Sequence, residues 1–149
     1  MSAEFDELQK LVMADARKIY SDTVIDHAMN PRNLGEIRDA DSFARVTGPC
    51  GDTMEIWLKV KNSNIGQAAF FTDGCGTSIA SGSMVTEMAR GKSIAEAQRI
   101  TRRDVLDALG GLPEESQHCA LLAANTLKAA IRDYLLMQKE PWKKAYRRW

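Results

Sequence analysis

The chain has no net charge, no long apolar run and no closely spaced cysteine pair, and each absence removes a class of function. Twenty lysines and arginines offset twenty aspartates and glutamates, so no global field draws nucleic acid or an acidic membrane to the surface. No segment approaches the roughly 18 consecutive apolar residues of a membrane span. Met1-Ser2-Ala3-Glu4-Phe5-Asp6 also lacks the basic start and apolar stretch of a signal peptide. A cytoplasmic protein that binds neither membrane nor nucleic acid is therefore expected. The cysteines number three; an odd count in a reducing compartment argues against a disulfide framework and leaves thiols for metal or sulfur chemistry. None forms a C-x-x-C pair, so any ligands come from separate loops, which release a metal more readily than a tight knuckle does.

What is present fits one domain. With 149 residues, 44% of them hydrophobic, the chain is long enough to bury a core and too short for two full domains. Phe5, Leu8, Leu11, Val12 and Ile19 recur at near-helical spacing and predict an amphipathic first helix. A second short helix follows, capped by Asp22, with Val24, Ile25 and Ala28 on its apolar face and its end at Asn30-Pro31. Glu55 to Val60 and Ala68 to Thr72 read as strands joined by a turn over Asn62 to Gly66, with Phe43 to Thr47 as a third strand. Ile56, Leu58 and Val60 alternate with Glu55, Trp57 and Lys59, the pattern of a sheet covered on one side.

The second half reads as helices. Thr77 or Ser78 is placed to cap one bearing Ile79, Met84, Val85 and Met88, with Gly91 as its stop. Ser93-Ile94-Ala95-Glu96 matches a capping box, Thr101 opens a short helix that Gly110-Gly111 ends, and the last helix presents Leu121, Ala124, Leu127, Ile131 and Leu135. Strands first and helices afterwards predict an α+β fold: a small antiparallel three-stranded sheet with helices packed on one face. Beyond it, Lys139 to Trp149 carries a net charge of +4 and the aromatics Trp142, Tyr146 and Trp149, suited to docking on the domain or meeting an acidic partner.

Each cysteine sits beside glycine, a carboxylate or histidine, in Gly48-Pro49-Cys50-Gly51-Asp52, Asp73-Gly74-Cys75-Gly76-Thr77-Ser78 and Gln117-His118-Cys119. Cys50 and Cys75 fall at strand ends, where glycine lets backbone approach a bound group. Cys119 opens a helix, whose N-terminus is expected to favour the thiolate and make this cysteine more reactive than an ordinary one. Thiolates bind zinc or iron, and His118, Asp52 or Asp73 is available as a fourth ligand. The competing reading, a small core residue, suits Cys119, which alanines and leucines follow, and suits Cys50 and Cys75 poorly. His27, with no cysteine near it in sequence, is read as a surface or capping residue.

Four segments carry a family resemblance: Asn30-Pro31-Arg32-Asn33-Leu34-Gly35, Gly48-Pro49-Cys50-Gly51-Asp52-Thr53-Met54, Gly74-Cys75-Gly76-Thr77-Ser78-Ile79-Ala80-Ser81-Gly82-Ser83 and His118-Cys119. From Tyr20 to about Leu136 the chain resembles the IscU/NifU-type iron-sulfur cluster assembly scaffolds. The resemblance implies a platform without turnover of its own, on which a [2Fe-2S] cluster is built from iron and sulfur supplied by a cysteine desulfurase, then passed to apo iron-sulfur proteins. It implies Cys50, Cys75 and Cys119 as cluster ligands, Asp52 or His118 as the fourth, Cys119 as the persulfide acceptor, and zinc in the same site when iron is absent. An alternative is a zinc-binding sulfur acceptor of the SufU type, although such relatives generally have an insertion between the second and third cysteines and lack the histidine. The chain departs from the family twice. Leu112-Pro113-Glu114-Glu115-Ser116 replaces the Leu-Pro-Pro-Val-Lys of many bacterial relatives, so the dedicated Hsp70-type chaperone partner is not carried over. Residues 1–19 form a helical extension whose apolar face needs a partner, a homodimer being one answer, ahead of a scaffold domain at 20–137 and a basic aromatic tail at 138–149.

Overall fold

The computed structural model describes residues 3–142, apart from the side chains of residues 3–6 and 9. The side chain of Phe5 and the tail residues 143–149 thus lie outside the described residues. Helices α1 (Ala3–Ile19) and α2 (Asp22–Met29) lead into strands β1 (Ser42–Thr47), β2 (Thr53–Lys61) and β3 (Asn64–Thr72). Helices α3 (Gly76–Ala89), α4 (Ile94–Ala97) and α5 (Arg102–Leu109), a 3-10 turn (Glu114–Ser116) and helix α6 (Gln117–Lys139) follow.

The three strands form one antiparallel sheet in chain order, with Phe43 opposite Trp57 and Ile56 opposite Phe70. The β2–β3 turn is tighter than the sequence suggests: Asn62 and Ser63 take positive φ values of 55° and 63°, so Asn64 already pairs with Lys61 and Ile65 is buried. Two successive residues at positive φ give a backbone twist that matches the strands. A bulge between Lys59 and Val60 ends the alternation, which is why Val60 is only partly buried while Met54, Ile56 and Leu58 are sealed. Helices α6 and α3 pack on that face, α6 over β1 and β2 and α3 over β3. On the opposite face Trp57, grouped by alternation with charged residues, is buried against Phe43 at a ring separation of 5.1 Å.

Helix α3 departs most from its predicted apolar stripe. Val85 is buried, but Ile79, Met84 and Met88 are only partly so, and the inner face is Thr77, Ser78, Ala80, Ser81, Ser83 and Thr86. Close approach is the reason: a Cβ on Gly82 would stand 2.4 Å from the Phe70 ring, so small residues let helix and strand touch. The buried hydroxyls of Ser81 and Thr86 donate to carbonyls one turn back, at 2.8 and 2.7 Å.

Helix α6 buries Ala124, Leu127 and Ile131 as expected, but Leu121 and Leu135 are exposed. Ala120, Leu122, Ala123 and Ala130 are buried instead, because α6 packs against the sheet, α3 and α5 together. The cap of α4 is the expected Ser93–Glu96 box, Thr101 starts α5 as expected and adds a reciprocal box with Asp104, and Gly110 closes α5 in the left-handed region. Ser21 caps α2, and Asp22 is its first residue. His27 is no surface residue: it is buried, with Nδ1 2.7 Å from Ser83 Oγ. Helix α1 forms, yet Leu8, Leu11, Val12 and Ile19 are all at least 58% exposed, so its apolar face is not absorbed by the domain.

Candidate metal and sulfur site

Three elements converge at the end of the sheet where β1 finishes and α3 and α6 begin. The first is the β1–β2 connection. Gly51 N donates to Gly48 O at 3.0 Å and Gly48 N to Asp52 O at 2.8 Å. Pro49 and Cys50 occupy the centre of this turn, and Gly51 supplies the positive φ that returns the chain to β2. Cys50 is exposed at the tip. Asp52, at the base, points back toward the helices, where its Oδ2 accepts from Ser78 Oγ at 3.3 Å.

The second element is the β3–α3 junction. Asp73 Oδ1 accepts from Thr53 N at 2.8 Å, a bond that ties the two loops together and leaves Asp73 beside the Asp52, His118 and Cys119 group without being part of it. Gly74 has no room for a side chain, since a Cβ there would lie 2.4 Å from Ser78 Oγ and 3.1 Å from Asp52 Oδ2. Cys75 is the N-cap of α3 and is exposed. The Thr77 hydroxyl, together with backbone N–H groups of Ser78 and Thr77, lowers its thiol below the ordinary value, against a smaller opposing effect of burial.

The third element is the start of α6, which grows directly out of the 3-10 turn. Here the expectation of an activated Cys119 fails. The residue is 1% exposed, and burial pushes its thiol up, opposed by the hydroxyls of Ser78 and Thr77 and reinforced by the Cys75 and Asp52 charges. Desolvation outweighs the benefit of the helix start at Cys119, whereas Cys75 caps α3 at the surface and keeps its donors with less desolvation.

The donor atoms of Asp52, His118 and Cys119 lie within 4.8 Å of one another, with His118 Nε2 3.6 Å from Cys119 Sγ. Cys75 Sγ joins them through Thr77 Oγ1, which is 3.1 Å from Cys75 Sγ and 3.3 Å from Cys119 Sγ. Cys50 stands outside the group of three, on the adjoining loop. The chemistry of this set fits iron and sulfide: soft thiolates for the metal–sulfur core, with a harder carboxylate or imidazole completing the coordination and exchanging more readily. Zinc is accommodated by the same donors. Neither Thr77 nor Ser78 is the cap expected of it: Cys75 takes that position, and both hydroxyl residues lie inside the first turn of α3 and face the site; the sequence signals this only by a pair of hydroxyl residues immediately after Gly-Cys-Gly. An apolar cleft of about 320 Å³ between Val12 and Ala16 of α1, Val24 and Ala28 of α2, and the Cys75 turn opens beside Cys75.

Fold and site together define a small α+β domain with a thiol-rich candidate metal centre assembled from separate elements. The chain belongs to the NifU-like N-terminal domain family, whose model matches residues 19–141. It is 54% identical over 117 residues to an iron-sulfur cluster assembly scaffold protein IscU 1 of Archaeoglobus fulgidus, covering 78% of this chain and 76% of the relative. To the scaffold protein IscU of Escherichia coli K12 it is 46% identical over 120 residues, covering 77% and 93%. Among solved structures, a NifU-like protein (N-terminal) from Brucella abortus superposes with a TM-score of 0.63 at 22% identity, covering 79% of this chain and 95% of that one. This last likeness concerns the fold. The IscU/NifU resemblance carried by the cysteine segments is thus the chain's family.

Proposed function

We propose that this protein is a scaffold for iron-sulfur cluster assembly. It receives iron and sulfur, the latter from a cysteine desulfurase, holds them as a [2Fe-2S] cluster, and hands the cluster to apo-proteins without catalytic turnover of its own. The observation that carries the reading is the convergence of Asp52, His118 and Cys119 within 4.8 Å, in a family whose relatives bear the scaffold name. Cys50, Cys75 and Cys119 are the proposed thiolate ligands, and Asp52 the fourth, with His118 as the alternative. Asp52 is preferred because a carboxylate exchanges more readily than a thiolate, which suits a cargo that must leave. Replacing Asp52 by alanine is expected to slow cluster release; faster transfer to an apo-ferredoxin would remove that role.

Cys119 is the proposed sulfur acceptor. Its thiolate attacks the outer sulfur of the desulfurase persulfide, a new S–S bond forms on Cys119, the donor's S–S bond breaks, and the donor leaves as a thiolate. Because Cys119 is buried and burial disfavours its thiolate, the proposed acceptance requires that the start of α6 be uncovered first. The mixed sulfur, nitrogen and oxygen donors also favour a second reading, a zinc-holding sulfur carrier. Anaerobic reconstitution separates the two: with iron, cysteine and a desulfurase the scaffold gains iron and acid-labile sulfide together, whereas the carrier stimulates the desulfurase and takes up no iron.

The location is proposed to be cytoplasmic; no helix among the described residues is long and apolar enough to cross a membrane. Residues 1–19, 20–137 and 138–149 are proposed as extension, scaffold domain and tail. The exposed Leu8, Leu11 and Val12 of α1 support a homodimer sharing the extension, and light scattering of the chain with and without residues 1–18 tests it. Glu114 and Glu115, exposed in the 3-10 turn, support transfer without a dedicated Hsp70-type chaperone.

A further inference from the structure

Directly after Cys75 the chain places two hydroxyls inside the protein, Thr77 at 6% and Ser78 at 0% exposure. Further along the same helix Ser81 and Thr86 spend their hydroxyls on backbone carbonyls. Thr77 and Ser78 turn theirs toward the site. Thr77 Oγ1 lies 3.1 Å from Cys75 Sγ and 3.3 Å from Cys119 Sγ, and Ser78 Oγ lies 3.3 Å from both Cys119 Sγ and Asp52 Oδ2. The result is one continuous chain of polar contacts, Cys75–Thr77–Cys119–Ser78–Asp52, linking three separate elements.

We propose that Thr77 and Ser78 are positioning residues for the metal centre, holding the two sulfurs and the carboxylate in register before metal arrives and donating to the sulfurs once it is bound. The proposal rests on the scaffold reading for the identity of the ligands. A buried hydroxyl must give its proton to some acceptor, and Ser78 has two within reach and one proton to give. When Asp52 turns to a metal, Cys119 Sγ is the acceptor that remains. When Asp52 leaves the metal, its carboxylate competes for the same proton and draws it away from the sulfur. Ser78 therefore couples the position of Asp52 to the number of donors on Cys119. A metal-bound thiolate retains negative charge, and in a buried site that charge is stabilised by O–H donors. Thr77 contributes a second donor that either cysteine can receive.

The test is an anaerobic titration with cobalt(II) alone, following the sulfur-to-cobalt charge-transfer absorption, on wild type and on Thr77→Val, Thr77→Ser and Ser78→Ala. Thr77→Val and Ser78→Ala are expected to weaken cobalt binding about ten- to a hundredfold, in the range typical of lost outer partners of metal ligands. Their absorption band should move to lower energy, because a sulfur with fewer donors gives up an electron more easily. Thr77→Ser, which keeps the hydroxyl, should restore both affinity and band position. Circular dichroism establishes that each variant is folded; should one of the two deleterious variants unfold, the other decides the matter. Valine and alanine variants with wild-type affinity and an unmoved band would overturn the proposal. Wild-type protein with no sulfur-to-cobalt band would instead overturn the ligand assignment beneath it, and the positioning role with it.

Discussion

Cys75 and Cys119 are reached by the same threonine hydroxyl, yet their surroundings push the two thiols in opposite directions. Cys75 caps α3 in the open, with hydroxyl and backbone donors around it, and its thiol is lowered. Cys119 belongs to the first turn of α6, is covered by protein, and its thiol is raised. Donors win at Cys75, where the Thr77 hydroxyl and the backbone N–H groups of Thr77 and Ser78 outweigh burial, and desolvation wins at Cys119, which has hydroxyl donors but no such backbone pair. A single site thus holds an exposed sulfur whose thiol is lowered beside a buried one whose thiol is raised. Under the proposed function, the buried sulfur is the one that accepts sulfur from a docked partner.

Thiol labelling reads the contrast between Cys75 and Cys119 directly. In the metal-free protein at neutral pH, iodoacetamide should modify Cys75 on the order of a hundredfold faster than Cys119, which reacts only through local opening. Mass spectrometry of the labelled peptides reads the ratio, and equal rates would break the contrast. Leu122→Ala attacks the guarded side. Leu122 is 4% exposed and its side chain faces Gly48 of the Cys50 loop, so truncation should cost about 2–5 kcal/mol in denaturant unfolding and narrow the labelling ratio. An unchanged ratio would show that Leu122 does not cover Cys119.

The smallest expected effect lies behind Cys75, where α2 packs on α3. Burial, with Arg32 adding to it, holds the His27 pKa below its ordinary 6.5. As pH falls through that value the unfolded chain takes up a proton that the folded chain refuses, so stability declines with acidity until the folded pKa is reached. Urea midpoints at pH 8 and pH 5.5 should therefore differ less in His27→Gln than in wild type. An equal difference would assign the acid sensitivity to other groups.

Much of the fold was legible because local chemistry dictated it. The capping box at Ser93, the helix start at Thr101, the glycine stop at Gly110 and the alternation through Ile56 and Leu58 each have one good structural solution. Closeness of approach between elements was hidden. Nothing in local periodicity marks Gly82 as the point where α3 meets Phe70, so the hydroxyl-rich inner face of α3 was misread in favour of its methionines. Trp57 was placed on a polar face because alternation records chemistry and not what a side chain covers. The cysteines and their neighbours were legible as candidate ligands from their glycine-flanked settings, and the family resemblance supplied their roles. The burial of Cys119 and the Thr77–Ser78 link needed the tertiary structure, since both arise from α3 and α6 meeting at the end of the sheet.

The central claim is that the site carries a cluster meant to leave. Reconstituted protein should be mixed with a cluster-free ferredoxin under anaerobic conditions and the two separated over time, with iron and acid-labile sulfide measured on each. Both are expected to move together to the ferredoxin, which gains its cluster as the scaffold loses its own. A cluster that stays on this protein, or a protein that holds zinc and never acquires sulfide, would contradict it.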